Sequence, residues 1–363
     1  MVSSPLPSPL NFIVAQSQQP KRDRYHKQTL FAGLGEHGQE ALQRGRVLIC
    51  GCGALGSVLS EALVRAGVGS VRIVDRDFVE ISNLQRQVLF DEDDIAAQLP
   101  KAVAAERKLR RINSDVDVEG IVADIDHTNI LQFTTDIDLI LDGSDNFEVR
   151  FLINDASHAT GLPWIYAGVI GSHGQTMPIF PGKTGCLRCL IESVPAPGTT
   201  ETCDTAGVLG PAVNVVASLE AVTAMKILAG GQALVEPKLT IVDVWDGTLR
   251  QMNVANLREQ SNCPACHEGK RDWLSGKQGA ESTVLCGRNS VQVSPPNTTD
   301  PEFERLAEKL NGLGPVSFNK FLLRLTLTDP DFEITVFRDG RAIIQGTEDP
   351  AIARGLYARY IGS

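Results

Sequence analysis

The chain predicts an α/β fold, a mostly parallel sheet with helices on both faces, followed by a small C-terminal α+β domain. Three observations predict it. Short apolar runs alternate with longer helical stretches between Val47 and Ala229. The first run, Val47 to Cys50, opens directly into Gly51-Cys52-Gly53-Ala54-Leu55-Gly56. Beyond about residue 280 the texture changes to short strands and small helices around the hairpin signal Asp339-Gly340.

Taken in order, Met1 to Pro20 is rich in Ser, Pro and Gln and lacks the charged start and apolar run of a secretory signal, so residues 1–21 form a disordered tail. Asp23 to Gln43 is helical. Val47–Cys50 is a strand, the glycine loop follows, and a helix runs to about Ala66. Val71–Val74 is the second strand and ends at Asp75. Pro100 to Asn113 is a helix with basic residues on its outer face. Ile137–Leu141 is a buried strand ending in Asp142-Gly143-Ser144-Asp145-Asn146. Pro163–Val169 and His173–Phe180 are further strands, and Val213–Ala229 is a long apolar helix. The polar, Gly-containing stretch 268–280 is a linker. In the appendage, 281–363, Val284–Val293, Phe321–Leu327, Glu333–Phe337 and Arg341–Gln345 are strands. Pro301–Leu310 and Asp349–Tyr360 are helices. This gives a core domain over 22–267.

Bulk composition narrows the function classes. With 34 Lys+Arg against 44 Asp+Glu, the net charge of −10 argues against nucleic acid as a partner. No run of 18 or more apolar residues occurs, so no membrane span is expected, and the chain is taken to be cytoplasmic. In a reducing compartment, eight cysteines point to metal or catalysis rather than disulfides.

The glycine loop between a strand and a helix lets main chain approach phosphates, and the helix start offers N–H groups and positive dipole. Asp75, about 20 residues on at the next strand end, is the usual place for a ribose-binding carboxylate. These features alone suit a Rossmann-like dinucleotide enzyme, an NAD(P)-dependent oxidoreductase. The next stretch shifts the balance. Asp77, Ser82, Asn83, Gln85, Arg86 and Gln87 follow, and Lys101 starts a helix behind Pro100. Arg86 and Lys101 supply positive charge for a triphosphate. Asp145, at a later strand end, can hold Mg²⁺ between phosphate oxygens. Adenylation of a carboxylate needs all of this, because two anions must approach and pyrophosphate must leave.

Cys186-Leu-Arg-Cys189 and Cys263-Pro-Ala-Cys266 offer four thiolates for a closed tetrahedral Zn²⁺ site. Cys263 to His267 also spells a haem-attachment pattern, but the matching upstream pair favours zinc. Cys203, among small polar residues before the long helix, is a candidate nucleophile. Cys50 and Cys52 flank the glycine loop as packing residues.

Arg24-Tyr25-His26-Lys27-Gln28, the loop Gly51–Gly56, Asp75 to Gln87, Pro100-Lys101 and Asp142 to Asn146 together resemble the E1-like ThiF/MoeB/HesA family, over about residues 22 to 267. The resemblance implies an adenylyltransferase that uses ATP to activate the Gly-Gly C-terminus of a small ubiquitin-like sulfur-carrier protein, of molybdopterin or thiamine type. It implies that the nucleotide-contacting set is drawn from Gly51, Gly53, Ala54, Gly56, Asp75, Asp77, Ser82, Asn83, Gln85, Arg86, Lys101, Asp145 and Asn146. In that set Asp75 takes the ribose, and Asn83, Arg86 and Lys101 take the phosphates. Asp145 takes Mg²⁺, with Asn146 beside it. The four paired cysteines become a structural zinc site. Cys203 falls where the family carries the cysteine of later thioester or acyl-disulfide steps. Lys27 stands where the family commonly has an arginine that reaches ATP from the other subunit of a homodimer; lysine keeps the charge but loses the bidentate fork. Longer members end in a rhodanese domain. No such active-site loop is visible in 281–363, so a separate sulfur donor is implied. A non-catalytic scaffold that binds a ubiquitin-like partner is the third reading, set against the retained Asp75, Arg86, Lys101 and Asp145.

Overall fold

The computed structural model describes residues 24–192, 206–278, 282–285, 289–294, 301–328 and 331–361. Cys203 and Cys286 lie outside the described residues.

Eight strands form the principal sheet: β1 (Arg46–Cys50), β2 (Ser70–Val74), β3 (Asp117–Ile121), β4 (Leu139–Asp142), β5 (Trp164–Ile170), β6 (His173–Ile179), β7 (Lys238–Asp243) and β8 (Thr248–Asn253). Their order is β3-β2-β1-β4-β5-β6-β7-β8. The first five are parallel. Each of the last three pairs antiparallel with the strand before it, so the sheet is mostly parallel, as expected, with an antiparallel edge. The reason is local. Only Gly171 and Ser172 separate β5 from β6, with Gly171 at φ +60°, and a connection that short cannot make a parallel crossover.

Side chains of β1 alternate between two cores, as strands buried on both faces require. Val47 and Ile49 join Leu59 and Leu63 of α1 (Ala54–Ala66), Leu109 of α2 (Lys101–Ile112) and Ala224 and Ile227 further on. Leu48 and Cys50 join Phe151 and Ile153 of α3 (Phe147–Thr160) and Trp164. The helix α4 (Gly210–Gly230) is long and apolar enough to cross a membrane by length and composition. Here it packs on α1, β5 and β6. Its buried edge runs Ala212, Val213, Val216, Ala217, Glu220, Ala221, Ala224 and Ile227, the 3–4 spacing of one helix face.

Two expectations for local structure are corrected. The stretch from Asp23 is not one helix but two short ones, His26–Thr29 and Gly35–Leu42, broken where Gly35 takes φ +65°. Val284–Val293 is not one strand but an antiparallel pair, β9 (Ser282–Leu285) and β10 (Ser290–Val293), with Ser290 opposite Leu285. Asn289 at φ +45° turns the chain between them.

The stretch taken as a linker is partly anchored. Trp273 packs on Phe151 with ring centroids 5.6 Å apart, and the Trp273 and Leu274 N–H groups donate to Asp155 at 3.0 and 3.4 Å. Its polar composition hid two large apolar side chains, Trp273 and Leu274, both packed on the core.

The C-terminal residues add β11 (Val316–Phe318), β12 (Leu322–Thr328), β13 (Asp331–Phe337) and β14 (Ala342–Gln345) to β9 and β10 in a six-stranded sheet, ordered β11-β12-β13-β14-β10-β9. The β13–β14 turn falls at Asp339-Gly340 as expected, with Gly340 at φ +83°. The helices α5 (Phe303–Leu310) and α6 (Pro350–Tyr360) supply Phe303, Leu306, Leu310, Ala353 and Tyr357 to its core.

Candidate active site

The C-terminal ends of β1, β2 and β4 are level, with Cys50 opposite both Val74 and Asp142. The chain leaves β1 toward β2 on one side, while β4 lies on the other. Open α/β sheets bind ligands at such a switch point.

The loop after β1 is built on close main-chain contact. Gly51 sits at φ +96°. A Cβ on Gly56 would lie 2.0 Å from the Gly51 carbonyl oxygen, and one on Gly143 would lie 2.3 Å from the same atom. Gly53 begins α1 with no side-chain cap, so the first-turn N–H groups have no side chain competing for them. A Cβ on Gly53 would meet only the Gly143 oxygen at 3.9 Å and Gln87 Nε2 at 4.0 Å, which leaves room above it.

Asp75 ends β2 and is buried. Its oxygens accept from the Cys52 and Asp77 N–H groups, both at 2.6 Å, so the carboxylate and the glycine loop are fixed to each other. Burial pushes its pKa above the ordinary value, and the nearby Lys101 ammonium opposes that. Lys101, 3% exposed at the start of α2, places Nζ 3.2 Å from Asp77 Oδ2, and its main-chain N–H donates to the Asp77 carbonyl at 2.8 Å. Buried Asn83 lies in a short 3₁₀ turn and accepts from the Glu80 N–H at 3.2 Å. Ser82 offers its carbonyl to Arg86 Nη1 at 2.8 Å. Gln85 and Arg86 lie against the start of α4, where a Cβ on Gly210 would come within 2.9 Å of the Gln85 oxygen. Ala54 is the first residue of α1.

Asp145 is exposed just beyond β4, and its charge acts on both Arg76 and Arg150. Asn146 has a structural job as the cap of α3, accepting from the Glu148 N–H at 2.7 Å. Thus the loop glycines, Asp75, Asp77, Lys101, Asn83, Arg86 and Asp145 all lie on loops, turns or helix starts at one end of the sheet.

Lys27 is elsewhere. It is exposed on the helix His26–Thr29, which seats Tyr25 against Gly67 and Gln28 against the Ala66 carbonyl (2.9 Å), at the C-terminal end of α1. Thirteen helical residues span about 20 Å, so Lys27 and the glycine loop are at opposite ends of that helix. The chain leading out of the undescribed segment that holds Cys203 returns to the nucleotide end: the Gly171 N–H donates to the Gly207 carbonyl at 2.9 Å.

The sequence reading passed over several charged residues of this site. Arg76, next to Asp75, pairs with Asp124 at 2.9 Å and approaches Asp77 at 3.8 Å. Arg150 pairs with buried Asp142 at 3.0 Å. Ser144 Oγ donates to Asp142 at 2.6 Å, and the Asp142 N–H donates to Glu220 at 3.2 Å. Burial pushes the Asp142 carboxyl up against the pull of Arg150, and pushes fully buried Glu220 well above its ordinary value, with the Asp142 charge adding to it. Buried Gln87 has an amide oxygen with no partner among the described residues. A charge next to Asp75 was visible in the sequence; the partners of Arg76 and Arg150 were not.

The four paired cysteines converge, all four Sγ atoms within 4.8 Å of one another. Cys186 and Cys263 are 3.6 Å apart, Cys189 and Cys266 3.6 Å, and Cys186 and Cys189 3.9 Å. Four sulfurs around tetrahedral zinc at the usual bond length stand about 3.8 Å apart, so the set fits Zn²⁺. His158, which the sequence left unassigned, places Nε2 4.0 Å from Cys266 Sγ. The cluster packs with Trp164, Ile179 and Leu239, where β6 ends and β7 begins. That is the end of these strands away from the Gly171–Ser172 turn, so a metal held there would be structural rather than part of the nucleotide site. Cys50 and Cys52 are fully buried, which pushes both thiols up and keeps them protonated.

The ThiF family model matches residues 25–265. The chain is 44% identical over 340 residues to the sulfur carrier protein ThiS adenylyltransferase of Bacillus subtilis, covering 93% of this chain and 99% of that protein. An alignment of that length extends past the family match into the C-terminal sheet. It is 38% identical to the sulfur carrier protein adenylyltransferase of Thermus thermophilus, covering 67% of this chain and 90% of that one. Among solved structures, Escherichia coli MccB with ATP aligns with a TM-score of 0.53 at 27% identity, over 64% of this chain and 68% of that chain. On this sequence match and on the site geometry, the chain belongs to the ThiF family.

Proposed function

We propose that this chain is an adenylyltransferase that uses ATP to activate the C-terminal glycine carboxylate of a small ubiquitin-like sulfur-carrier protein. The observation that carries this reading is the charged chain Lys101–Asp77–Arg76, linked to Asp75 and the glycine loop and facing Asp145 across the switch point. A dinucleotide oxidoreductase has no use for such a set, because its buried diphosphate is already held by the loop.

In the reaction, a carrier carboxylate oxygen attacks the α-phosphorus, the bond from that phosphorus to the bridging oxygen breaks, and pyrophosphate leaves. The N–H groups at the start of α1 hold phosphate oxygens, and Asp75 accepts from the ribose hydroxyls. Lys101, Arg86 and Asn83 offset the charge that accumulates between the two anions. Asp145 would hold Mg²⁺ together with phosphate oxygens, the usual coordination for that ion, and the metal would neutralise charge on the departing pyrophosphate. An extended Gly-Gly tail suits the approach, since it has no side chains to obstruct it. The likeness to the Bacillus subtilis protein supports a thiamine-type carrier. Sulfur for any later step comes from a separate donor, and the free thiols suit the cytoplasm.

Mg²⁺–ATP should raise the melting temperature by several degrees at saturating concentration, and NAD should not. Carrier-dependent exchange of labelled pyrophosphate into ATP then tests the chemistry. Stabilisation by NAD instead of ATP would replace this reading with the oxidoreductase.

The position of Lys27 supports a homodimer in which it serves the partner's site, since its own site is a helix length away. Leu30 and Phe31, three and four residues on, are 64% and 70% exposed, apolar surface that a second copy would cover. Co-expressing Lys27→Ala with Asp145→Ala should return about a quarter of wild-type exchange, because half the dimers are mixed and each mixed dimer has one intact site. No recovery on mixing, or full activity of Lys27→Ala alone, would remove the trans role.

A further inference from the structure

We propose that the C-terminal sheet braces the ribose–base end of the nucleotide site, with Gln292 as the main positioning residue; this rests on the adenylation reading. Phosphates lie at the start of α1 and the ribose at Asp75. The base therefore continues over the ends of β2 and β3. The C-terminal sheet touches the core sheet's loops at those ends. Gln292 on β10, 2% exposed, donates from Nε2 to Asp124 Oδ2 at 2.5 Å, just past β3. Arg341, buried before β14, points Nη2 at the Arg76 carbonyl (3.5 Å), just past β2. Phe337 packs on Phe78 with ring centroids 5.6 Å apart. Asn319 donates to the Gln98 carbonyl at 3.1 Å, three residues before Lys101.

These contacts feed one chain of charges. Gln292 holds Asp124, Asp124 holds Arg76 at 2.9 Å, Arg76 approaches Asp77, and Asp77 holds Lys101 at 3.2 Å. A donor from the C-terminal sheet thus sets the first link of the series that ends on the phosphate-binding lysine. Without it, Asp124 carries one less hydrogen bond, and Arg76 is free to follow Asp124 away from Asp77. Gln292 acts through these residues and does not itself touch the reacting atoms.

Gln292→Leu keeps the volume and deletes the donor. In the full chain it should raise the KM for ATP about ten-fold, with the carrier KM within about two-fold of wild type. An unchanged ATP KM, or a rise in the carrier KM instead, would overturn the brace. A second measurement needs no variant. Mg²⁺–ATP without carrier should slow amide hydrogen exchange in residues 290–293 and 342–345, and unchanged exchange there would also overturn it. Calorimetric ATP affinity of the Leu variant separates the two ideas. A wild-type chain that binds ATP but supports no pyrophosphate exchange would remove the adenylation reading. A ten-fold weaker affinity in Gln292→Leu would leave the brace standing even then.

Discussion

Alanine at position 145 is expected to lower carrier-dependent ATP–pyrophosphate exchange by about a thousand-fold while the melting temperature stays within a few degrees of wild type. The two readouts separate because neighbouring aspartates divide the labour. Asp142 holds the end of β4 together, paired with Arg150, bonded by Ser144 and donating its N–H to Glu220. Removing Asp142 would strand a buried guanidinium, at a cost of several kcal/mol. Asp145 is exposed and bears none of that framework, so its loss should register in the chemistry alone. Exchange at the wild-type rate in Asp145→Ala would reject its role with the metal.

The second large effect concerns the sulfur cluster. Purified protein should contain one zinc per chain. Cys263→Ser, or exhaustive chelation, should lower the melting temperature by ten degrees or more, on the order of several kcal/mol. Cys263 and Cys186 are 3% and 0% exposed. With Zn²⁺, half the charge of four thiolates would be offset inside the packing of Trp164 and Leu239; without it, the same sulfurs crowd one another in an apolar setting. The loss should reach the segment 268–278, which follows Cys266 and docks through Trp273 on Phe151. A zinc-free chain that melts at the wild-type temperature would show the four thiols to be ordinary core residues.

The parts of this site that were legible in the sequence are those encoded over short range. A strand, a glycine loop and a helix follow one another within twenty residues, and Asp75 and Lys101 mark the next strand end and helix start. The cysteine pairs announce a metal by spacing. Legibility failed wherever the decisive partner is distant in the chain. Gln292 meets Asp124 across 168 positions, and Trp273 meets Asp155 across 118, with no local pattern to signal either. The antiparallel edge was harder to read for a related reason: His173–Ile179 reads as one more strand, and only the two-residue turn before it forces reversal. The pairing of Asp142 with Arg150 had no signal either, because charge says nothing of burial until a sheet closes over it.

The glycine contacts at the switch point have one further consequence. Gly51, Gly56 and Gly143 meet peptide group against peptide group, so there is no side chain there to trim, rotate or refill. A single added methyl would wedge apart two turns that otherwise behave as one casting. Substitutions around this end of the sheet can act one residue at a time, but none is tolerated at these three glycines without moving main chain. The motion that admits ATP and releases pyrophosphate must then be sought in the walls.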